Sequence, residues 1–145
     1  MNLKTCKLQI ILAIVLLTGC APVALNDSPA PKSDGEYIHG EAVVEDVETM
    51  FLESFPLQVH AVAVGYLPDP CTEIEEVFVE REGNHFGVRI TTRREADVMC
   101  IQVIEAFEQI IPLDVYGLPA GDYTVTVNGI EAEFTFLRDN SLPEG

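Results

Sequence analysis

The sequence predicts an all-β protein: a single antiparallel β-sandwich of about seven strands over residues 42–140, preceded by an export signal and a disordered tether. First, short stretches of alternating apolar and polar residues recur between Val43 and Phe136, with proline, glycine and asparagine between them. Second, two of these stretches are joined by Asn128-Gly129, a strong hairpin signal. Third, the roughly 100 residues of this region suffice for one domain with one core.

Five strands are expected before the final hairpin. The second is almost continuously apolar, which is typical of a strand in the centre of a sheet. The fourth alternates cleanly, with Phe86, Val88 and Ile90 on one face. The five segments are residues 43–52, 58–66, 73–81, 86–91 and 111–115.

Residues 97–109 fit no single pattern. Cys100, Val103, Phe107 and Ile111 recur at helical spacing, which favours a short helix. Phe107 also shares strand parity with Ile111, so a loop followed by an early start of the fifth strand is the alternative. We expect irregular structure with a helical turn.

The final hairpin follows a corner with a recognisable spacing. Leu118, Gly121 and Tyr123 form a Leu-x-x-Gly-x-Tyr pattern just before the first hairpin strand. This pattern resembles the tyrosine corner of immunoglobulin-like and fibronectin-like sandwiches. The resemblance implies an immunoglobulin-like sandwich in which the hydroxyl of Tyr123 hydrogen-bonds to the corner at 117–120. The alternative is an ordinary core tyrosine that follows a turn.

The first 20 residues are typical of an export signal. Lys4 and Lys7 precede an apolar run that is too short to span a bilayer. The run ends in Leu17-Thr18-Gly19-Cys20, which resembles the lipobox of bacterial lipoproteins. The resemblance implies that residues 1–19 are removed and that Cys20 carries a diacylglyceryl group, since two acyl chains anchor a protein stably. The alternatives are a plain secretory signal and a short transmembrane anchor.

This signal predicts an extracytoplasmic protein, lipid-anchored to the outer membrane or to the outer face of the cell membrane. Residues 20–41 are then the lipidated cysteine and a flexible tether, because Pro22, Pro29 and Pro31 interrupt small and polar residues.

Besides the lipidated Cys20, two cysteines remain in the exported part, Cys71 and Cys100. An even number of cysteines in an oxidising compartment predicts a disulfide, and their spacing matches no metal or redox motif. In the seven-strand order these cysteines follow the second and the fourth strand. Since strand directions alternate, both are expected at the same end of the sandwich.

The net charge limits the partners. Asp and Glu number 24 against 8 Lys and Arg, and the loss of Lys4 and Lys7 with the signal moves the net charge from −16 to −18. So acidic a surface repels nucleic acid and anionic lipid. The expected partners are the membrane, through the lipid anchor, and an unknown protein or other envelope component.

Signatures of catalysis and of cofactors are absent from the sequence. The three histidines lack a His-Glu-x-x-His context, and there is no Gly-x-Ser-x-Gly elbow. The acidic clusters at 45–48 and 73–76 lack the spaced ligands and the glycine of a calcium loop, which favours a solvated face. We expect no catalytic residue, metal or cofactor.

The sequence favours a non-enzymatic binding or structural module of the cell envelope. The alternatives are an inhibitor of an exported protease and an enzyme.

The loops opposite the predicted disulfide form a candidate contact surface. Strand alternation places residues 54–56, 82–85 and 116–120 at that end. Large side chains on such loops are typical of binding surfaces. The candidate contact residues are Phe55, His85, Tyr116 and Leu118. The alternative is that Phe55 and Leu118 close the end of the core.

Replacing Cys20 with serine removes the thiol that would carry the lipid. We expect Cys20→Ser protein to leave the membrane fraction, as measured by fractionation and immunoblotting. The control is Cys6→Ser, inside the predicted signal, which should stay membrane-bound. Cys20→Ser protein that remains entirely in the membrane fraction would contradict the lipidation.

Overall fold

The computed structural model describes residues 35–142, which fold as a β-sandwich of eight strands. No helix in this range is long and apolar enough to cross a membrane. The predicted signal, Cys20 and most of the predicted tether lie outside the described residues. The strands are β1 (Tyr37–Glu41), β2 (Val43–Leu52), β3 (Gln58–Leu67), β4 (Thr72–Glu82), β5 (His85–Glu95), β6 (Glu105–Leu113), β7 (Gly121–Val127) and β8 (Ile130–Phe136).

The two sheets are of unequal size. In the smaller sheet β3 lies between β2 and β6, and both pairings are antiparallel. In the larger sheet β4 pairs along one edge of β5. The other edge of β5 is shared, because β1 pairs with residues 91–95 and β7 with residues 85–88. β8 completes this sheet beside β7.

The core lies between the sheets and follows from the period of two along each strand. Tyr123 stacks on Phe134 with 5.3 Å between ring centroids, and Phe136 meets both rings edge-on. Burial of each large apolar side chain stabilises the fold by about 1.5–3 kcal/mol. The most completely buried side chains are Val59, Ala61, Ala63, Phe86, Ile90, Tyr123, Val125 and Val127.

The sandwich predicted from the sequence is confirmed, with one more strand than expected and one pairing of opposite sense. β5 and β7 run parallel, whereas the sequence predicts a wholly antiparallel arrangement. From β2 to β8 successive strands alternate in direction, so β5 and β7, which are two apart in the chain, point the same way. They become neighbours here because the intervening strand, β6, belongs to the other sheet.

The additional strand is β1, and it corrects the predicted extent of the tether. The tether prediction makes residues 37–41 irregular, but they pair antiparallel with the end of β5. All five are exposed, so the strand shows no apolar alternation from which it could be predicted. After Ala42 the chain continues into β2, which belongs to the other sheet.

The helical turn expected within 97–109 is wrong. Residues 98–104 are irregular, and β6 begins at Glu105, as in the alternative of an early strand. β6 pairs with β3 over its whole length, from Glu105 opposite Leu67 to Leu113 opposite Val59. The helical spacing arose from apolar side chains that do not share one buried face, since Val103 is 55% exposed whereas Ile111 is buried.

Asn128 fills the gap between β1 and β7 along the edge of β5. Its backbone has a φ of 44°, in the left-handed region that asparagine tolerates in tight turns. Its side-chain amide donates to the carbonyls of Ala42 and Ile90 at 2.8 and 3.0 Å, and its carbonyl oxygen accepts from the N–H of Ile90 at 2.9 Å. The side chain thus bonds to the main chain of β5 between the two strands that share its edge.

Asn140 has a similar role beyond β8. It is 2% exposed, and its side-chain oxygen accepts from the N–H of Leu57 at 2.7 Å. Its amide donates to the carbonyls of Leu57 and Val115, both at 2.9 Å. Its backbone also bonds to Gly117 and Leu118. One buried side chain therefore joins the β2–β3 loop and the β6–β7 loop to the C-terminal segment.

We expect Asn140→Ala to lower the free energy of unfolding by roughly 2–4 kcal/mol, because it removes three hydrogen bonds and leaves buried backbone groups unpaired. Urea denaturation measures the loss. Asn84→Ala is the matched control, since Asn84 makes one side-chain bond, to the carbonyl of Asp122, on an exposed turn. Equal effects of the two changes would contradict the role given to Asn140.

Candidate functional site

One end of the sandwich carries a disulfide between Cys71 and Cys100, with the Cα atoms 6.1 Å apart. It joins the β3–β4 connection to the β5–β6 connection, as the sequence predicted. The chain also reaches β1 here, because the carbonyl of Glu36 accepts a hydrogen bond from the N–H of Ala96 at 2.8 Å. We call this the stapled end.

Asp69 organises the backbone beside the disulfide. One carboxylate oxygen accepts from the N–H of Cys71 at 3.0 Å and from the hydroxyl of Thr72 at 3.1 Å. The other lies 3.1 Å from Nε of Arg94, an ion-pair distance, although the N–H is not aimed well enough for a hydrogen bond. Burial alone would raise the pKa of Asp69, but these hydrogen bonds and the charge of Arg94 together lower that pKa below its ordinary value of 3.8.

The carboxylate of Asp69 and the sulfurs of Cys71 and Cys100 lie within 4.8 Å of one another, which is close enough for three ligands of one metal ion. The two sulfurs are bonded to each other, so neither is the thiolate that a metal would need. Asp69 and the disulfide therefore stabilise the connections that they join.

The corner before β7 also has a defined geometry. Tyr123 is 1% exposed, and its hydroxyl donates to the carbonyl of Pro119 at 2.9 Å. Leu118 packs in the core beside it, and Gly121 has a φ of 153°, which a residue with a side chain would rarely adopt. The bond fixes the β6–β7 loop against the strand that follows it.

The opposite, distal end presents large exposed side chains. Phe55 is 49% exposed and Tyr116 is 63% exposed. The guanidinium of Arg138 lies 5.2 Å from the centroid of the Phe55 ring, a cation–π distance. Both aromatic residues are within two positions of residues that Asn140 binds, Leu57 and Val115. We call Phe55, Tyr116 and Arg138 the distal patch.

Two residues predicted for this patch lie elsewhere. Leu118 is 5% exposed and belongs to the core, so the prediction that it contacts a partner is wrong. It follows Gly117, whose positive φ of 76° turns the chain inward. His85 is exposed, but it lies on the outer face of the larger sheet, because Phe86 next to it points into the core.

That outer face also carries an open groove, with a volume of about 600 Å³, which the sequence analysis missed. Its floor includes Gly87, above which there is open space. His85 lies on one side, bonded through Nδ1 to the hydroxyl of Thr124 at 2.9 Å. Phe78 lies on the other, beneath the guanidinium of Arg89 at 4.9 Å. The groove arises from strand register and a missing side chain, neither of which a motif marks.

Asp69→Asn keeps the shape of the side chain and removes its charge. Because the pKa of Asp69 is lowered in the folded state, its charge stabilises the fold above about pH 4, the unfolded-state pKa. This contribution is lost as the pH falls through the lower, folded-state pKa. We expect wild type to exceed Asp69→Asn in urea midpoint at about pH 6, with the difference shrinking toward about pH 2.

Asp114→Asn, at the distal end, controls for the loss of one negative charge from an acidic protein. A difference between wild type and Asp69→Asn that does not vary with pH would contradict the lowered pKa.

Comparison with known proteins places the domain among relatives. A protein of Herpetosiphon aurantiacus named "Uncharacterized 10.2 kDa protein in HgiCIIM 5'region" is 36% identical over 88 residues, 61% of this chain and 93% of that protein. Two more from this organism, named for the HgiBIM and HgiEIM 5'regions, are each 39% identical over 77 residues, 53% of this chain and 93% of each protein. No solved structure matches.

The family described as the ORF11 beta-sandwich domain matches residues 61–136, which run from within β3 to the end of β8. The match covers more than half of the chain and includes strands of both sheets, while β1 and β2 lie before it. This protein therefore belongs to the ORF11 β-sandwich domain family.

Proposed function

We propose that this protein is a lipid-anchored, extracytoplasmic lipoprotein whose sandwich domain is a non-enzymatic binding module. The anchor is Cys20, and the partner is an envelope protein that contacts the distal patch.

The observation that supports the binding role is that exposed aromatic side chains lie on loops whose main chain is held by a buried asparagine. Phe55 and Tyr116 are exposed on loops, where they do not contribute to the core. Asn140 holds the main chain of both loops through three hydrogen bonds. Aromatic residues and arginine are enriched among the residues that dominate binding energy. Loops held in place in the free protein lose less entropy on binding.

Two features support the compartment. The disulfide between Cys71 and Cys100 is of the kind that persists in oxidising compartments. The Leu17–Cys20 sequence behind a short apolar run supports lipidation at Cys20. The chain reaches β1 at the stapled end, so the distal patch would face away from an anchoring membrane.

Site-specific photocrosslinking tests the proposal. Replacing Tyr116 with p-benzoylphenylalanine should give a discrete adduct in the bacterium that makes the protein, because the reactive group lies in the distal patch. Mass spectrometry identifies the captured protein. The matched control is the same replacement at Glu131, which is exposed on the outer face of β8. Capture of an exported protease would favour the inhibitor alternative.

Once the partner is identified, Tyr116→Ala should weaken binding about tenfold or more, while the thermal midpoint stays unchanged, because Tyr116 is largely exposed. His85→Ala distinguishes the two surfaces. A loss of binding from His85→Ala alone would assign the partner to the groove and contradict the role of the distal patch.

A further inference from the structure

The irregular residues 98–104 form an apolar, uncharged loop at the stapled end. Their sequence, Val-Met-Cys-Ile-Gln-Val-Ile, contains no charged residue, although the chain has 24 acidic residues. The exposed fractions are 100% for Met99, 69% for Ile101, 55% for Val103 and 65% for Ile104. Four neighbouring side chains of this size exposed together are typical of an interaction surface.

The loop is held open by contacts at its base. Cys100 is bonded to Cys71 in the adjacent connection. The carbonyl of Val98 accepts a hydrogen bond from the guanidinium of Arg94 at 3.1 Å. These links fix the main chain, so the loop presents Met99 and Ile101 rather than folding them onto the core.

The loop lies where the chain arrives from Cys20. The carbonyl of Glu36 bonds to the N–H of Ala96, two residues before the loop begins. Ile38, on the first strand, adds another side chain that is 54% exposed. The 15 residue-to-residue steps from Cys20 to Gly35 span at most about 50 Å even when fully extended. An anchor at Cys20 therefore keeps this end of the domain within about 50 Å of the bilayer.

We propose that the 98–104 loop contacts the surface of the anchoring bilayer, with Met99 and Ile101 inserted at the boundary between headgroups and acyl chains. The inference rests on the lipid anchor of the proposed function and adds a second, direct membrane contact. Electrically neutral headgroups suit this end, because acidic residues flank the loop at Asp97 and Glu105. A protein partner would have to enter the space between the domain and the membrane.

Single tryptophans test the contact, because the chain has none of its own. Lipidated Ile101→Trp protein is reconstituted into phosphatidylcholine vesicles with brominated acyl chains. We expect its emission to shift to shorter wavelength and to lose most of its intensity relative to unbrominated vesicles. Met99→Trp should respond in the same way. Tyr116→Trp, at the distal end, should show neither change.

The outcomes separate the inference from the proposed function. If the protein floats with vesicles but the tryptophans of the Ile101→Trp and Met99→Trp variants stay as exposed as that of Tyr116→Trp, the membrane contact is overturned and the anchor stands. If the full-length protein is not acylated and does not float, the anchor itself is overturned.

A second set of measurements uses lipid-free protein that carries Cys20→Ser together with Ile101→Trp. We expect the tryptophan of this protein to stay exposed to water at every protein concentration, because no bilayer is present. If it is shielded and the shielding grows with protein concentration, the loop joins copies of the chain and the membrane contact is again overturned.

Discussion

The side chain of Asn128 is the contact on which the larger sheet depends. β5 has two different neighbours along one edge, and neither reaches Ile90 from its own strand. The amide of Asn128 satisfies both backbone groups of Ile90 and also binds Ala42, where the chain crosses between the sheets. Buried backbone groups without partners are costly. Without Asn128 the N–H of Ile90 would lose its partner, whereas the carbonyl of Ile90 would keep the bond from the N–H of Ala42 at 3.1 Å.

The two ends of the domain are fixed by different chemistry. At the stapled end a covalent bond and the carboxylate of Asp69 hold the connections. At the distal end the neutral amide of Asn140 holds three segments through hydrogen bonds. Acid weakens the first arrangement, because the Asp69 carboxylate gains a proton, whereas an amide does not titrate. The contacts at the stapled end are therefore more sensitive to acid than the contacts of Asn140 at the distal end.

The features that the sequence predicted correctly are those that repeat with a local period. The alternation of Phe86, Val88 and Ile90 predicted a half-buried strand, which is β5. Asn128-Gly129 predicted the final hairpin, which is formed by β7 and β8. β1 was missed because its five residues are all exposed, so burial leaves no pattern in them. The parallel pairing of β5 with β7 was missed because it depends on β6 belonging to the other sheet. That is decided by the pairing of β6 with β3, which is distant in sequence.

The candidate site was less predictable than the fold. Loop order placed Phe55 and Tyr116 at one end, but Leu118 turned inward through a backbone conformation that the pattern does not encode. The bonds made by the two asparagine side chains were not predictable. Asn128-Gly129 indicates a hairpin but not the bonds from Asn128 to Ala42 and Ile90, and Asn140 belongs to no motif. The groove beside Gly87 depends on strand register, which sequence alternation leaves open.

The position of β1 has a mechanical consequence. Its five residues lie antiparallel to the end of β5, and the strand begins at the N-terminal side of the domain. Tension applied at that terminus acts along the strand, so the hydrogen bonds to β5 are loaded together in shear instead of being opened one after another. Beyond Ala42 the same segment enters the other sheet as β2, so both layers share the load. A pull from the N-terminal side therefore acts on hydrogen bonds in both sheets and not on those of β1 alone.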